Sequence, residues 1–457
     1  MDYISQVLFV MCLLVAGYFL TKRINRIRKN IQLGKAEDRS DNPAERFKIM
    51  ALIALGQKKM FDKPIVGLMH LVIYLGFIII NLEILEIILD GILGTHRLFA
   101  PYLGGLYIYL IIIFEFLAVG VIVTCVIFLI RRNILKIRRF WAYEITKWPR
   151  TDANIILITE ILLMLAFLSW NASDSILQQR EVGHYAGINA GPFAFSQWLM
   201  PLFTGWSDSA IMVYERFAWW FHILGILTFA IYVTYSKHLH IALAFPNTYF
   251  SKLAPKGKLQ NMPVVTNEVK QMLGIPADPA LETAPETPQP ETPVEIGRFG
   301  AKDINDLTWK HLMDAYSCTE CGRCTAACPA NITGKKLSPR KIMMDTRDRM
   351  EEVGRSLEKG GPGLEDGKSL IDSYVTREEL LACTTCNACV SACPVNINPL
   401  DIIIELRRYM AMEDAKVPGS WNAMFSNIEN NMAPWKFSPS DRFNWADKLK
   451  ETPQNGQ

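Results

Sequence analysis

The first half of the chain consists of long apolar runs separated by short polar segments, and the second half does not. The apolar runs cover residues 3–20, 65–89, 106–130, 153–170 and 210–235. A helix rises about 1.5 Å per residue, so roughly 18 residues are enough to cross the hydrocarbon layer. The pattern predicts five membrane-spanning helices. We expect the first to be retained and not cleaved as a signal peptide, because no positive charge precedes it and no small-residue cleavage site follows it.

Lysine and arginine are distributed unevenly between the two sides of this membrane half. Segments 22–63 and 131–150 hold twelve and seven of them, whereas loops 92–105 and 171–208 on the opposite side hold one each. Positive residues are retained on the cytoplasmic side of a membrane. We therefore expect an inner (cytoplasmic) membrane protein with its amino terminus outside and everything after Tyr235 in the cytoplasm.

The sequence changes character after the fifth run. Residues 275–296 contain six prolines, five acidic residues and no basic one, a composition typical of an extended tether. No alternating strand pattern follows, and residues 338–361 predict a helix that opens at Ser338-Pro339 and stops at Gly360-Gly361. We expect an all-α protein with four parts, namely a five-helix membrane domain (1–250), a linker (251–297), an α-helical soluble domain (298–415) and a carboxy-terminal tail (416–457).

Overall composition agrees with this division. Of the 457 residues, 50% are hydrophobic and 20% are charged, against about 25% charged in an average soluble protein. A single soluble globule is therefore excluded. The net charge is only +3, which gives no indication of a nucleic-acid partner.

Eight of the ten cysteines lie between Cys318 and Cys393, in two copies of the pattern CxxCxxCxxxCP. This is the ligand run of a two-cluster ferredoxin, in which the fourth cysteine of each run ligates the other cluster. The rule assigns Cys318, Cys321, Cys324 and Cys393 to one [4Fe-4S] cluster, and Cys383, Cys386, Cys389 and Cys328 to a second. Structural zinc is the alternative, but a zinc site gains nothing from a third cysteine two residues on. Cys12 and Cys125 lie in apolar runs, where we expect them to be packing residues.

Three histidines lie at or within the predicted membrane helices. His222 and His240 are 18 residues apart, which is five turns of a continuous helix, and so predicts that both project from one face of the fifth helix. His70 lies about 8 Å inside the cytoplasmic end of the second helix. His70 and His240 therefore share a depth, and we expect them to clamp a b-type haem. The alternative for each histidine is a polar residue at a helix packing surface.

His222 has no such partner. A second haem would need a ligand about ten residues outward of His70, where the chain has Ile80. His222 is therefore expected to pair with an unidentified ligand or to line a quinone pocket. We expect the neighbouring His238 to face away from the pair, at the interface.

Carboxylates inside membrane runs are functional candidates by default. Glu115 and Glu160 are candidates either for a proton path to a quinone or for protonated groups that bond a neighbouring helix. We expect Glu83, Glu86 and Glu215 to be solvated at the outer end.

The membrane half resembles the gamma subunit of respiratory nitrate reductase and the cytochrome b subunit of membrane heterodisulfide reductase. The resemblance rests on His70 in GLMHLVIYLGF and on His222 and His240 in FHILGILTFAIYVTYSKHLHI. In that family the second helix carries two histidines, and Ile80 takes the place of the outer one here.

The soluble half, from TWKHLMDAYSCTECGRCTAACPA to SNIENNMAPWKFSPSDRFNWA, resembles the iron-sulfur part of heterodisulfide-reductase-like proteins and of membrane oxidoreductases that serve electron-transfer flavoprotein. In those proteins cysteine-rich CCG domains usually follow, so the resemblance implies a separate CCG subunit. The segment with Trp435 and Trp445 is a candidate docking site for it, or it packs back on the clusters.

These observations predict a respiratory-chain membrane subunit of a quinone-linked oxidoreductase. We expect it to pass electrons between a cytoplasmic partner, either electron-transfer flavoprotein or a CCG subunit, and the quinone pool. Two [4Fe-4S] clusters and haem b are the implied cofactors. The alternatives are a heterodisulfide- or sulfur-reductase-type subunit that takes electrons from quinol, and a non-catalytic ferredoxin anchor.

Overall fold

The computed structural model describes residues 3–188, 190–191, 193–276 and 298–450. Within these ranges the chain is helical and has no β-strand; two isolated β-bridges join Lys35 to Thr308 and Ile371 to Val375. The all-α prediction is therefore confirmed. The acidic, proline-rich tether at 275–296 lies almost wholly outside the described residues.

Five helices are long and apolar enough to cross a membrane. They are α1 (Ile4–Ile31), α3 (Pro64–Leu93), α5 (Gly105–Leu129, continued by a π-turn to Ile134), α6 (Trp148–Gln179) and α7 (Asp208–Val233). These elements coincide with the five predicted apolar runs. Three shorter helices lie between or after them: α2 (Pro43–Met50), α4 (Ala100–Leu103) and α8 (His240–Tyr249).

The five long helices form a bundle in which each packs against the next in chain order, and α7 closes the ring against α1. Phe9 of α1 contacts Trp219 of α7 with ring centroids 5.4 Å apart. The core between the helices is apolar and includes Ile80, Phe114 and Phe167. Because lipid provides no hydrophobic drive between helices, this interdigitation of side chains holds the bundle together.

The soluble half is an assembly of short helices around one longer helix. Its elements are α9 (Pro263–Met272), α10 (Trp309–Ser317), α11 (Arg323–Ala326), α12 (Pro329–Ile332), α13 (Pro339–Glu358), α14 (Leu370–Ser373), α15 (Arg377–Leu381), α16 (Ala388–Ala392), α17 (Pro399–Met412), α18 (Gly419–Asn431) and α19 (Asn444–Lys450). The predicted helix between the cysteine motifs is α13. Ser338 is its N-cap, accepting a hydrogen bond from the backbone N–H of Lys341, and Pro339 opens its first turn.

Ion pairs fix the soluble half on one end of the bundle, which we call the soluble end. The α1 helix continues eleven residues past the predicted run, to Ile31, and its Arg23 pairs with Glu351 of α13 at 2.6 Å. Lys237 pairs with Glu320 at 2.5 Å, and Arg340 pairs with Glu144 at 2.7 Å. Several residues that the sequence marks only as positive charges therefore dock the two halves.

The segment after α1 also crosses to the soluble half. The backbone N–H of Lys35 donates to the carbonyl of Leu307 at 2.7 Å, and the N–H of Trp309 donates to the carbonyl of Lys35 at 3.0 Å. A Cβ at Gly34 would lie 2.7 Å from the backbone of Thr308. Only glycine allows this close approach.

Candidate functional site

The two cysteine motifs have the same backbone conformation. Glu320 and Gly322 in the first motif have φ of +53° and +71°, and Thr385 and Asn387 at the same positions of the second have +54° and +60°. Left-handed residues at fixed positions turn the chain so that successive cysteines face one point. The sequence repeat is thus also a structural repeat.

The side chains of the eight cysteines fall into two groups, each with three residues from one motif and one from the other. The membrane-side group is Cys318, Cys321, Cys324 and Cys393, which line one small cavity. The exposed group is Cys383, Cys386, Cys389 and Cys328. The structure therefore brings together the sets predicted from the ligand rule.

The electrostatics within each group fit a bound cluster. Burial, and then the thiolates of Cys318, Cys321 and Cys393, raise the pKa of Cys324 well above its usual value. Burial, and then Cys383 and Cys328, raise the pKa of Cys389 to about 12. Four converging thiolates repel one another unless a cationic core lies among them, and iron provides such a core.

Backbone N–H groups point at cysteine sulfurs in both groups. The N–H of Ile397 donates to Cys393 Sγ at 3.3 Å, and that of Thr385 donates to Cys383 Sγ at 3.4 Å. Hydrogen bonds to cluster sulfurs stabilise the more negative, reduced state. Each group therefore has the donors expected around a redox cluster.

The surroundings of the two groups differ. Cys386 is exposed, whereas the members of the membrane-side group are buried or half-buried. Lys59, just before α3, donates from Nζ to the carbonyl of Cys393 at 3.0 Å, and Arg323 Nη1 donates to the carbonyl of Lys59 at 3.1 Å. The membrane-side group is thus joined directly to the start of α3.

His70 lies one and a half turns into α3 and forms a cluster with His238 and His240. The rings of His238 and His240 are 5.4 Å apart at an angle of 81°. Burial, and then the charges of His240 and His70, lower the pKa of His238 to about 3. Arg323 is close enough for its charge to act on His70. The histidine cluster therefore lies between the membrane half and the membrane-side group.

The nitrogen atoms of this cluster fit a haem. His240 donates from Nδ1 to the carbonyl of Lys237 at 3.1 Å, which leaves Nε2 as the ligating atom. His70 Nδ1 is buried and has no hydrogen-bond partner among the described residues. A buried ring nitrogen without a partner, in a cluster with two other histidines, is the chemistry that an axial iron ligand requires.

The path of the chain between His222 and His240 differs from the prediction. Helix α7 ends at Val233, Ser236 is extended, and a single 3-10 turn covers Lys237–Leu239 before α8 begins at His240. The expectation that His222 and His240 share one face of a continuous helix is therefore wrong, as is the expectation that His238 faces away from the pair. Ser236 accepts from the N–H of His238 at 3.1 Å. Its position as an N-cap was the signal in the sequence.

His222 lies apart from this cluster, in the middle of α7. It is 1% exposed, its Nδ1 donates to the carbonyl of Leu163 at 3.0 Å, and its ring is 6.0 Å from that of Phe167. Ile80, the position that a second haem ligand would need, is buried in the apolar core.

The two carboxylates singled out within the membrane runs have different environments. Glu115 accepts from Asn171 Nδ2 at 3.2 Å, from the N–H of Phe195 at 2.7 Å and from Ser196. Glu115 therefore holds α5 against α6 and the loop after α6, which favours the second alternative, a carboxyl group that bonds a neighbouring element. Glu160 is half-buried on α6 and makes no side-chain hydrogen bond within the described residues, so the proton-path prediction rests on Glu160.

The end of the bundle away from the soluble half holds a buried charge network. Arg97, 1% exposed, pairs with Glu83 at 3.4 Å and with Asp174 at 3.0 Å, and His96 Nε2 bonds Asp174 at 2.9 Å. Glu86 accepts from Tyr107 Oη at 2.7 Å. The prediction that Glu83 and Glu86 are solvated is wrong, because each has an internal partner that replaces water.

Glu215 is also buried, accepting from Trp170 Nε1 at 2.8 Å and from Tyr185 Oη at 2.7 Å, so its predicted solvation is wrong for the same reason. The ligand atoms of His96, Asp174 and Glu215 lie within 4.8 Å of one another. Arg97 and Arg216 already neutralise these carboxylates, so we assign no metal there. Arg97, a lone arginine in an outer loop, was the signal in the sequence for this network.

Residues 317–397 match the family of the 4Fe-4S dicluster domain. The two cysteine motifs therefore lie in a 4Fe-4S domain. The chain is 27% identical to a probable iron-sulfur-binding oxidoreductase, FadF, of Bacillus subtilis over 98% of its own length and 61% of that relative.

Two further relatives have related redox descriptions. The chain is 27% identical to the EtfAB:quinone oxidoreductase of Syntrophomonas wolfei over 91% of its length and 56% of that protein. It is 29% identical to a component of the dihydromethanophenazine:CoB–CoM heterodisulfide reductase of Methanosarcina mazei over 31% of its length and 35% of that relative. The chain thus spans about 60% of the length of the first two relatives. No solved structure matches it.

Proposed function

We propose that the chain is a membrane electron-transfer subunit that connects a cytoplasmic redox partner to the quinone pool. The observation that carries the proposal is the order of sites: the exposed cysteine group at the surface, the membrane-side group beneath it, and the histidine cluster at the entrance to the bundle. Two [4Fe-4S] clusters, held by the two groups, and a haem b, held by His70 and His240, supply one-electron redox chemistry when bound.

The residues of the chain keep these sites in register. Lys59 and Arg323 join the membrane-side group to α3, and Lys237 joins the turn that carries His238 and His240 to Glu320 of the first motif. The Lys59 contacts link the segment before α3, the helix that carries His70, to the membrane-side group. The Lys237 contact links the residue before His238 to Glu320, which lies between Cys318 and Cys321. The same chain segments therefore set the spacing between cysteines and histidines.

The relatives support the chemical identity of the partners. One relative is described as an EtfAB:quinone oxidoreductase, which supports electron-transfer flavoprotein as donor and quinone as acceptor. The arrangement of lysine and arginine supports the amino terminus outside and the cysteine groups in the cytoplasm. The likeness of the membrane half to nitrate reductase gamma subunits forms part of this proposal.

A second candidate is a heterodisulfide-reductase-type subunit that takes electrons from quinol. The relative from Methanosarcina mazei favours it, but over 31% of the chain. An assay with reduced flavoprotein and quinone distinguishes the two candidate functions. The first function reduces the quinone under these conditions, whereas the second requires quinol.

Haem content tests the proposal. The purified chain should show a b-type α-band that quinol reduces, and His70→Ala and His240→Ala should each abolish it, because either change removes an axial ligand. His222→Ala is the matched control and should retain the haem. Full haem content in either of the first two variants would contradict the pair, and intact iron-sulfur clusters without any haem would make the chain a ferredoxin anchor.

A further inference from the structure

The exposed cysteine group borders a basic turn of the segment between the two halves. Gly257 lies in this turn, which the N–H of Lys258 closes by donating to the carbonyl of Pro255 at 3.1 Å. A Cβ at Gly257 would lie 3.6 Å from Asn387 Nδ2, and Asn387 directly follows the exposed Cys386. Lys256 and Lys258 therefore flank the surface beside that cysteine.

A cavity of about 110 Å³ opens between this turn and the second motif, with Lys59, Asn387 and Val390 among its walls. Two of its lysines are paired, Lys310 with Asp314 at 2.5 Å and Lys252 with Asp401 at 3.4 Å.

Three other lysines give this surface its excess positive charge. Lys256 and Lys258 form no ion pair within the described residues. Lys59 donates from Nζ to the carbonyl of Cys393 at 3.0 Å and likewise forms no ion pair within the described residues. The surface is therefore net positive beside a cysteine group that is itself negative.

We propose that this surface, formed by Lys256, Lys258 and the exposed edge of Cys386, is the docking site of an acidic protein that donates one electron. The inference rests on the proposed function, since it assumes that a soluble partner delivers electrons. A bare thiolate cluster would repel an anionic carrier, and the lysines reverse the local potential, which steers such a carrier and speeds its association.

A small anion is a poorer occupant. The one buried lysine of the cavity, Lys310, is bonded to Asp314 and to Asn247, and Lys256 and Lys258 are exposed. Exposed lysines on flexible stems suit a protein surface better than a tight ion site. In the transfer step the carrier loses one electron and the cluster of the exposed group gains one, and no bond or proton moves.

Stopped-flow reduction of the full-length chain tests the site, with a reduced plant-type ferredoxin as the acidic probe. At low ionic strength we expect Lys256→Glu/Lys258→Glu to slow reduction about tenfold or more, and raised salt to slow the unchanged chain by a similar factor. Lys29→Glu/Lys359→Glu is the control, because it makes the same change in net charge where α1 and α13 end, and it should leave the rate unchanged.

An uncharged deazaflavin radical serves as the second reductant. It should reduce all three proteins at one rate, which shows that the clusters and the proposed function are intact whatever the ferredoxin result. Equal ferredoxin rates in the two double variants would overturn the docking site. Competition by inorganic phosphate at constant ionic strength would also overturn it, in favour of a small-anion pocket.

Discussion

The two cysteine motifs share a spacing and a backbone but differ in what surrounds them. In the first motif, Gly322 faces the guanidinium of Arg340, and a Cβ there would collide with it. In the second, Asn387 occupies the same left-handed position and faces the open turn at Gly257. The repeat determines how each motif turns, whereas residues far along the chain determine whether it is enclosed.

Arg340, which encloses the membrane-side group, is held in place by the membrane half. Arg340 is fully buried and donates to the carbonyl of Arg139 at 2.7 Å as well as to Glu144. On the exposed side, Arg407 donates to the carbonyl of Cys383 at 2.6 Å from within the soluble half. The membrane-side group is therefore part of the contact between the halves, whereas the exposed group lies between a residue of the soluble half and the turn at Gly257.

Loss of the fourth cysteine ligand of either group should have the largest effect. Cys393→Ser should abolish the cluster of the membrane-side group, and Cys328→Ser that of the exposed group, each with about half of the bound iron, because serine is a poor ligand for a [4Fe-4S] cluster. EPR of the reduced protein measures which signal remains.

Cys386→Ser provides the matched reference for the assignment of each fourth cysteine to the group of the other motif. It should remove the same EPR signal as Cys328→Ser, although the two cysteines belong to different motifs. If Cys386→Ser instead removed the signal that Cys393→Ser removes, each motif would bind its own cluster, and the grouping would be wrong.

Removal of a buried cation at the contact between the halves should have the next largest effect. Arg340→Met leaves Glu144 buried, 3% exposed, with only Ser338 as a side-chain partner at 2.6 Å. Breaking a buried pair in this way destabilises by about 3–5 kcal/mol. Thermal unfolding in detergent should show this loss of stability, and backbone amide hydrogens around the membrane-side group should exchange faster.

Arg377→Met is the control on the side of the exposed group. Arg377 is 24% exposed and pairs with Asp372 at 2.8 Å and with Asp414, so its removal should cost at most about 1 kcal/mol. Equal losses from the two variants would mean that the membrane-side group is no more enclosed than the exposed one.

The sequence predicts the parts of this arrangement that depend on short patterns. Apolar runs identified all five long helices, Ser338-Pro339 located the start of α13, and the order of cysteines predicted which four come together. Each of these features is determined by residues within one helix or one motif, so local spacing is sufficient.

Features that depend on distant contacts were missed. The break at Ser236 was hidden because the apolar run continues to Tyr235, and the end of α7 is determined by an N-cap and not by hydropathy. The burial of Glu83 depends on Arg97, a residue of the following loop. The arginines of α1 contribute to charge asymmetry, but nothing in their spacing indicates that Arg23 pairs with a residue 328 positions later.

The smallest predicted effect concerns reduction potentials. Lys59→Met removes a cation bonded beside Cys393, so the reduced, more negative cluster loses stabilisation and its potential should fall by some tens of millivolts. Arg407→Met should lower only the potential of the exposed group, and by less, because water and salt screen charges near the surface. EPR-monitored redox titration measures both potentials in each variant. A shift of the wrong cluster by either change would contradict the assignment of these cations, and an equal shift would show that the enclosure of the membrane-side group has no electrostatic consequence.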